Sequence, residues 1–406
     1  MKKFILLFSL FLVIFLSGCV QQNCGNGVCE NNLGENDDTC PQDCRVIGPD
    51  NGGDGKVGLK ILDPGNGIYL GAYNFDDGQE AFEKAIGKKV AIGCKNPIFD
   101  GGFEGTPPNF DRAGHEQCYQ DGYISVYGIE YLIPSNTHSP QAIINGVFDN
   151  EIKQVAQEIK KLNRPIFWLY QREPRLQPNT MVPGLEDPPV PSGYDGGGYG
   201  PKGDETYEDV MARGGDPRKE YGDSNVLDGT ERYIDAARHI HDLVENIAPN
   251  KVTWVMGAMT TGNVDEDIKK NAPNHYTSYK DYYPGDDYVD WHAIDLHAFP
   301  EGGQWRTVSD EIEPAYSDAM KINPNKPLMI LEFSAIKVGT MDRSPWFKEF
   351  FQKIKTDYPQ VALIFYFQLA EPGAHFRLDA NDPAAQAWKQ EMQAHPNFWL
   401  SEVKTG

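Results

Sequence analysis

Basic residues are scarce in this chain of 406 residues. Lys and Arg number 37 against 59 Asp and Glu, for a formal net charge of −22. Nucleic-acid binding draws its affinity from Lys and Arg on phosphates, so nucleic acid is excluded as a partner. Histidines number nine. None falls in an H-E-x-x-H, and no Cys/His set in the body of the chain has zinc spacing. G-x-x-x-x-G-K-[ST] and G-x-S-x-G are missing, as is a G-x-G-x-x-G opening a first helix. No metal and no cofactor is implied. What the chain has in quantity is aromatic side chains, 12% of all residues. These suit stacking on sugar rings and filling a large core equally well. An acidic, aromatic-rich chain fits a neutral polymer such as a polysaccharide, with the surplus acid also serving solubility.

The start of the chain reads as a processing signal. Lys2 and Lys3 precede an apolar run, Phe4 to Leu16, that is short for a helix spanning a bilayer. Leu16-Ser17-Gly18-Cys19 resembles the lipobox of prokaryotic lipoproteins, which implies cleavage before Cys19 and a lipid on its thiol. Residues 1–18 are then a lipoprotein signal peptide, and the expected location is the cell surface, exported and lipid-anchored. The cysteine count agrees: seven less Cys19 leaves six, an even number that suits an oxidising compartment. Cys24, Cys29, Cys40 and Cys44 crowd into residues 19–45, a module too small to fold without bridges. Its spacing is not an EF-hand loop, and it reads as a stapled spacer. Cys94 and Cys118 remain, and a bridge between them is expected. Residues 46–57 are a Gly- and Asp-rich linker. Residues 58–406 show no repeat and no further composition break, and read as one monomeric domain.

That domain alternates two patterns. Short, nearly continuous apolar runs mark strands buried on both faces: Ile68–Tyr73, Lys89–Ile92, Tyr123–Gly128, Pro165–Tyr170, Val252–Met256, Trp291–Leu296, Leu328–Phe333 and Ala362–Phe367. Between them lie helical stripes. Asp149–Lys161 aligns Ile152, Val155, Ala156 and Ile159; Glu231–Asn246 aligns Tyr233, Ala237, Ile240 and Val244; Pro345–Thr356 aligns Phe347, Phe350, Phe351 and Ile354. Eight strands with intervening helices predict an α/β fold, a (β/α)8 TIM barrel. Residues 174–229 form one long Gly- and Pro-rich connection after the fourth strand, a plausible wall for a substrate cleft.

Two acids close apolar strands: Glu173 after the fourth and Glu332 in the seventh. The C-terminal ends of barrel strands face the active site, and glycoside hydrolysis needs two carboxyl groups flanking one bond. One protonates the leaving oxygen; the other stays ionised and attacks the anomeric carbon. Around them, Arg172, His297, Trp305, Tyr366 and Gln368 are candidate substrate contacts. His297 reads either as a partner of Glu332 or a sugar hydroxyl, or as a loop-facing structural histidine. Trp168, Trp254 and Trp291 lie within strands and read as core.

These residues carry a family resemblance. Gly67-Ile-Tyr-Leu-Gly-Ala-Tyr73, Ile144-Asn-Gly-Val-Phe-Asp149, Glu231 to His241, Asn250 to Val255, Tyr282 to Trp291 with Ile294-Asp295, and Lys326 to Phe333 occur in that order. Residues 66 to about 370 thus resemble glycoside hydrolase family 26, whose best-known members are β-mannanases. The resemblance implies a retaining hydrolase of β-linked polysaccharide, β-1,4-mannan first, with Glu173 as acid/base and Glu332 as nucleophile. β-1,3-Xylan and mixed-linkage or other β-glucan are the alternatives within it. A non-catalytic, lipid-anchored sugar-binding protein is the alternative outside it. The chain departs from the family pattern beside the acid/base, where Arg172 and Arg175 replace His and Asn, and at His297, where the family carries Tyr.

Overall fold

The computed structural model describes residues 59–73, 78–94, 108–129, 143–170, 230–256, 259–260, 282–371 and 374–405. They belong to one compact unit, Gly58–Gly406. The leader, Cys19 and the cysteine cluster lie outside the described residues. So do Arg172, Glu173, Arg175 and the connection 174–229.

Among the described residues nine strands pair in parallel, two of them the short pieces Met259–Thr260 and Trp399–Leu400 at the edges of one sheet. Ile68–Ala72, Val361–Tyr366, Leu328–Ala335 and His292–Ala298 form one ladder; Val126–Ile129, Ile166–Tyr170 and Val252–Met256 form the other. Parallel bridges join the two ladders on both sides. Ile92 pairs with Gly71 and with Ile124, and Val255 pairs with Trp291. With Ile92 as the second position, eight parallel positions close into a ring in chain order, as a (β/α)8 barrel requires. The second strand is shorter than the apolar run Lys89–Ile92 suggests. At Gly93 the backbone takes φ 146°, and Cys94 is drawn into a disulfide with Cys118 on the helix Arg112–Gln120.

Helices follow the strands as the periodicity predicts. Asp149–Leu162 buries Ile152, Val155, Ala156 and Ile159, and ends where Asn163 takes the left-handed conformation, φ 48°. Ser344–Thr356 buries Phe347, Phe350, Phe351 and Ile354. Asp382 caps Pro383–Ala394 by accepting from the Ala384 N–H, with Pro383 in the first turn.

Strand alternation divides the core into two layers. Tyr69, Phe167, Leu169, Val255, Trp291, Ala293, Met329, Leu331, Leu363 and Phe365 fill the inside of the barrel. Ile68, Trp168, Trp254, Ile294, Ile330, Phe333, Ile364 and Tyr366 pack outward under the helices. Trp168 and Trp254 are therefore core residues, as is Trp291 inside the barrel. Gly71 leaves room for one interior ring: a Cβ there would sit 2.2 Å from Phe365 Cδ2. The base of the barrel is closed by both flanks of the domain. Ile61 enters the interior layer, its N–H donates to Thr253 Oγ1 at 2.6 Å, and its carbonyl accepts from Trp291 Nε1 at 3.1 Å. Ile61 also bridges to Thr405.

Candidate active site

In a parallel barrel the site is set by which strand residues point inward at the C-terminal mouth. On the sixth-position strand the parity is plain. Trp291 and Ala293 are interior, and Ile294, Leu296 and Ala298 are exterior. Asp295 and His297 therefore point inward, toward the mouth. Asp295 is fully buried, and His297 keeps a slight opening, its side chain 14% exposed.

The seventh-position strand changes phase. Its register against the sixth runs Ile294 with Ile330, then Asp295 with Glu332. Leu331 is the extra residue, so a β-bulge lies there. Beyond it, Phe333 and Ala335 are exterior, which turns Glu332 and Ser334 inward beside Asp295 and His297. His297 and Ser334 are register partners. His297 Nε2 lies 3.0 Å from Glu332 Oε2, and His297 Nδ1 lies 2.8 Å from Ser334 Oγ. Glu332 is 3% exposed. The reading of His297 as a partner of Glu332 is the one this geometry supports.

Aromatic rings wall this group. Phe367 and Phe376 each lie 5.1 Å from the His297 ring, centroid to centroid. They pack with Ile336, and Trp305 rests half-buried on that cluster. Trp305 is held at the rim by its indole N–H, which donates to the Asp342 carbonyl at 3.2 Å. Phe299, which the sequence reading did not single out, is 46% exposed. It stands two residues after His297, on the same face, 5.9 Å from the Phe376 ring. Its inward parity was the available signal.

Two expected contacts are corrected. Tyr366 is fully buried with the exterior layer, stacked on Phe82 at 4.4 Å, and its hydroxyl donates to the Phe376 carbonyl at 3.0 Å. Burial pushes that hydroxyl up to about 12. It points away from the mouth because it shares the helix-facing side of its strand with Ile364, while Leu363 and Phe365 face the interior. Gln368 is 1% exposed, and both ends of its amide are taken by Leu378: Nε2 donates to the carbonyl and Oε1 accepts from the N–H. Both residues fasten the segment after the eighth strand and offer no group to a sugar.

That segment is tied down by a buried cation. Arg343, 1% exposed, donates to the carbonyls of Ala335, Phe376 and Arg377 and to Asp382 Oδ2 at 2.6–3.0 Å. The end of the Glu332 strand, the Phe376 loop and the cap of the last helix thus share one guanidinium, whose planar fork suits several acceptors at once. Among the described residues no cluster of His, Cys, Asp and Glu is suited to hold a metal ion.

Known proteins match this architecture. The catalytic domain of a GH26 endo-β-1,4-mannanase from Bacillus sp. JAMB-750 superposes with a TM-score of 0.50 at 14% identity, covering 81% of this chain and 86% of that one. That likeness is one of fold. An endo-β-1,4-mannanase double mutant from Cellulomonas fimi gives 0.49 at 14% identity, over 83% and 72%. By sequence, endoglucanase H of Acetivibrio thermocellus is 30% identical over 177 residues. The match covers 43% of this chain and 18% of that protein's length. No family model matches the chain.

Proposed function

We propose that this chain is a retaining glycoside hydrolase of the GH26 type that cleaves β-1,4-mannan, with Glu332 as nucleophile and Glu173 as acid/base. One observation carries the reading: a buried carboxylate on the seventh strand of a parallel barrel, turned inward by a bulge and bonded to His297. A hydrogen bond to a carboxylate is strongest when the oxygen is charged, the form in which Glu332 would attack. Attack on the anomeric carbon forms a glycosyl-enzyme as the leaving oxygen takes the proton of Glu173. Water, deprotonated by Glu173, then releases the sugar with retained configuration. Glu173 follows the last residue of the fourth strand, Tyr170, by three positions. The reading requires its carboxyl to come within ~5–5.5 Å of Glu332.

β-Glucan is the second reading for the substrate, favoured by the sequence match to a protein named endoglucanase. The lipid anchor at Cys19 and the surface location belong to the proposal, since a polymer too large to import must be cut outside. The test is a screen of reducing ends released from mannan, β-1,3-xylan, mixed-linkage glucan and β-1,3-glucan by wild type, Glu332→Ala and Glu173→Ala. Glu332→Ala should abolish turnover on the cleaved polymer. Glu173→Ala should still act on aryl glycosides with good leaving groups, and azide should rescue it as a β-glycosyl azide. Near-wild-type hydrolysis by both variants would remove this pair from the mechanism.

A further inference from the structure

We infer that Ser334 is a positioning residue that selects the ring tautomer of His297 and thereby aims an N–H at Glu332. The inference deepens the proposed function and rests on it for its catalytic meaning, though not for its first test. His297 has one polar partner on each ring nitrogen: Glu332 Oε2 at 3.0 Å on Nε2, and Ser334 Oγ at 2.8 Å on Nδ1. An ionised carboxylate only accepts hydrogen bonds, so Nε2 must carry a proton to bond to it. In a neutral imidazole that leaves Nδ1 as an acceptor, and its partner must donate. Ser334 can, because a hydroxyl both donates and accepts. The hydroxyl is fully buried on an interior strand position opposite His297. With the ring neutral and Glu332 ionised, the contacts allow one direction for the relay: the Ser334 O–H donates to Nδ1, and Nε2–H donates to Glu332. The partner on one imidazole nitrogen decides which nitrogen holds the proton. The surrounding Phe367 and Phe376 rings hold the imidazole plane without offering another polar partner.

This role leaves a signature that a packing role would not. Nitrogen-15 NMR of the full-length, histidine-labelled protein, with His297 assigned by its loss in His297→Gln, should show the neutral Nε2–H tautomer. A proton on Nδ1, or an imidazolium at the pH of activity, overturns the inference. That measurement needs no substrate, so it stands or falls apart from whether any glycan is cleaved. In Ser334→Ala the tautomer preference should weaken, and kcat should fall about tenfold or more with KM little changed. In His297→Gln the amide keeps an N–H toward Glu332 without needing Ser334. Adding Ser334→Ala to that background should then cost less than twofold. Equal losses in both backgrounds would mean that Ser334 acts by packing alone, and would overturn the assignment.

Discussion

Glu311 offers a prediction whose size follows from where the chain places it. It lies in the first turn of the helix Val308–Ile322, just after the Pro300–Trp305 hairpin that carries Trp305 to the rim. A helix N-terminus favours an anion, and Arg306 Nε stands 3.6 Å away. Burial outweighs both. The residue is 3% exposed, and desolvation, with smaller contributions from Asp310 and Glu301, pushes its carboxyl from 4.5 up to about 7. A group whose folded value is raised contributes stability that is fully present below its unfolded value, here about 4.5. That stability is lost as pH rises through about 7. The gap, at ~1.4 kcal/mol per pH unit, sets the loss at up to roughly 3 kcal/mol. Glu311→Gln keeps the shape and removes the ionisation. Urea unfolding followed by tryptophan fluorescence at steps from pH 5 to pH 9 should show the variant gaining on wild type by up to about 3 kcal/mol across that range. His292, which burial lowers to about 4, imposes an opposite slope between about 4 and 6.5. It does so in both proteins and cancels in the difference. If the two stability profiles run parallel from pH 5 to pH 9, Glu311 ionises as an ordinary surface carboxyl and the burial argument fails.

Three further outcomes are expected. Arg343→Met should cost about 3–5 kcal/mol in unfolding free energy, because Asp382 loses its buried partner. It should also lower activity by releasing Phe376 from His297, whereas an unfolding midpoint within error of wild type would count against the latch. Cys94→Ser with Cys118→Ser opens a loop closed across a separation of 24 residues and should cost about 3 kcal/mol; mass mapping that finds both thiols free in the native protein would refute the pairing. Cys19→Ala should release the protein from the membrane fraction, and a variant that still fractionates with membranes and keeps its leader would remove the lipid anchor.

Much of the barrel was legible because burial on both faces leaves a plain mark. Val252–Met256, Leu328–Phe333 and Ala362–Phe367 read as nearly continuous apolar runs, and the helices between them carry regular stripes. What the runs conceal is facing. Tyr366 and Gln368 end a strand, and that position alone suggested the mouth. Facing depends on phase within the strand, and the phase sends Tyr366 under the helices. Glu332 was legible as an acid closing an apolar run, yet its inward aim comes from an extra residue that no period reveals. Ser334 and Phe299 gain their significance from neighbours on another strand or loop. Such pairings are set by register, which a single chain's pattern leaves open.

The bulge at Leu331 deserves to be weighed as a cause. Ile330 faces the helices, and strict alternation would then put Leu331 inside, Glu332 outside and Phe333 inside. Glu332 would enter the apolar layer beside Trp346 and Phe350, an expensive place for a carboxylate. Phe333 would replace it against His297. One extra residue avoids both. Leu331 stays in the interior, Glu332 joins it there, and Phe333 turns outward to lie 4.2 Å from the Phe350 ring and 5.8 Å from that of Trp346. The aromatic contact fixes the phase, since a slip by one residue would exchange a buried ring for a charge. The outward Phe333 and the inward Glu332 are thus two consequences of the same distortion. Packing energy in the helix layer holds the carboxylate at the barrel mouth, and Ser334, next in phase, is carried to His297 by the same turn of the strand.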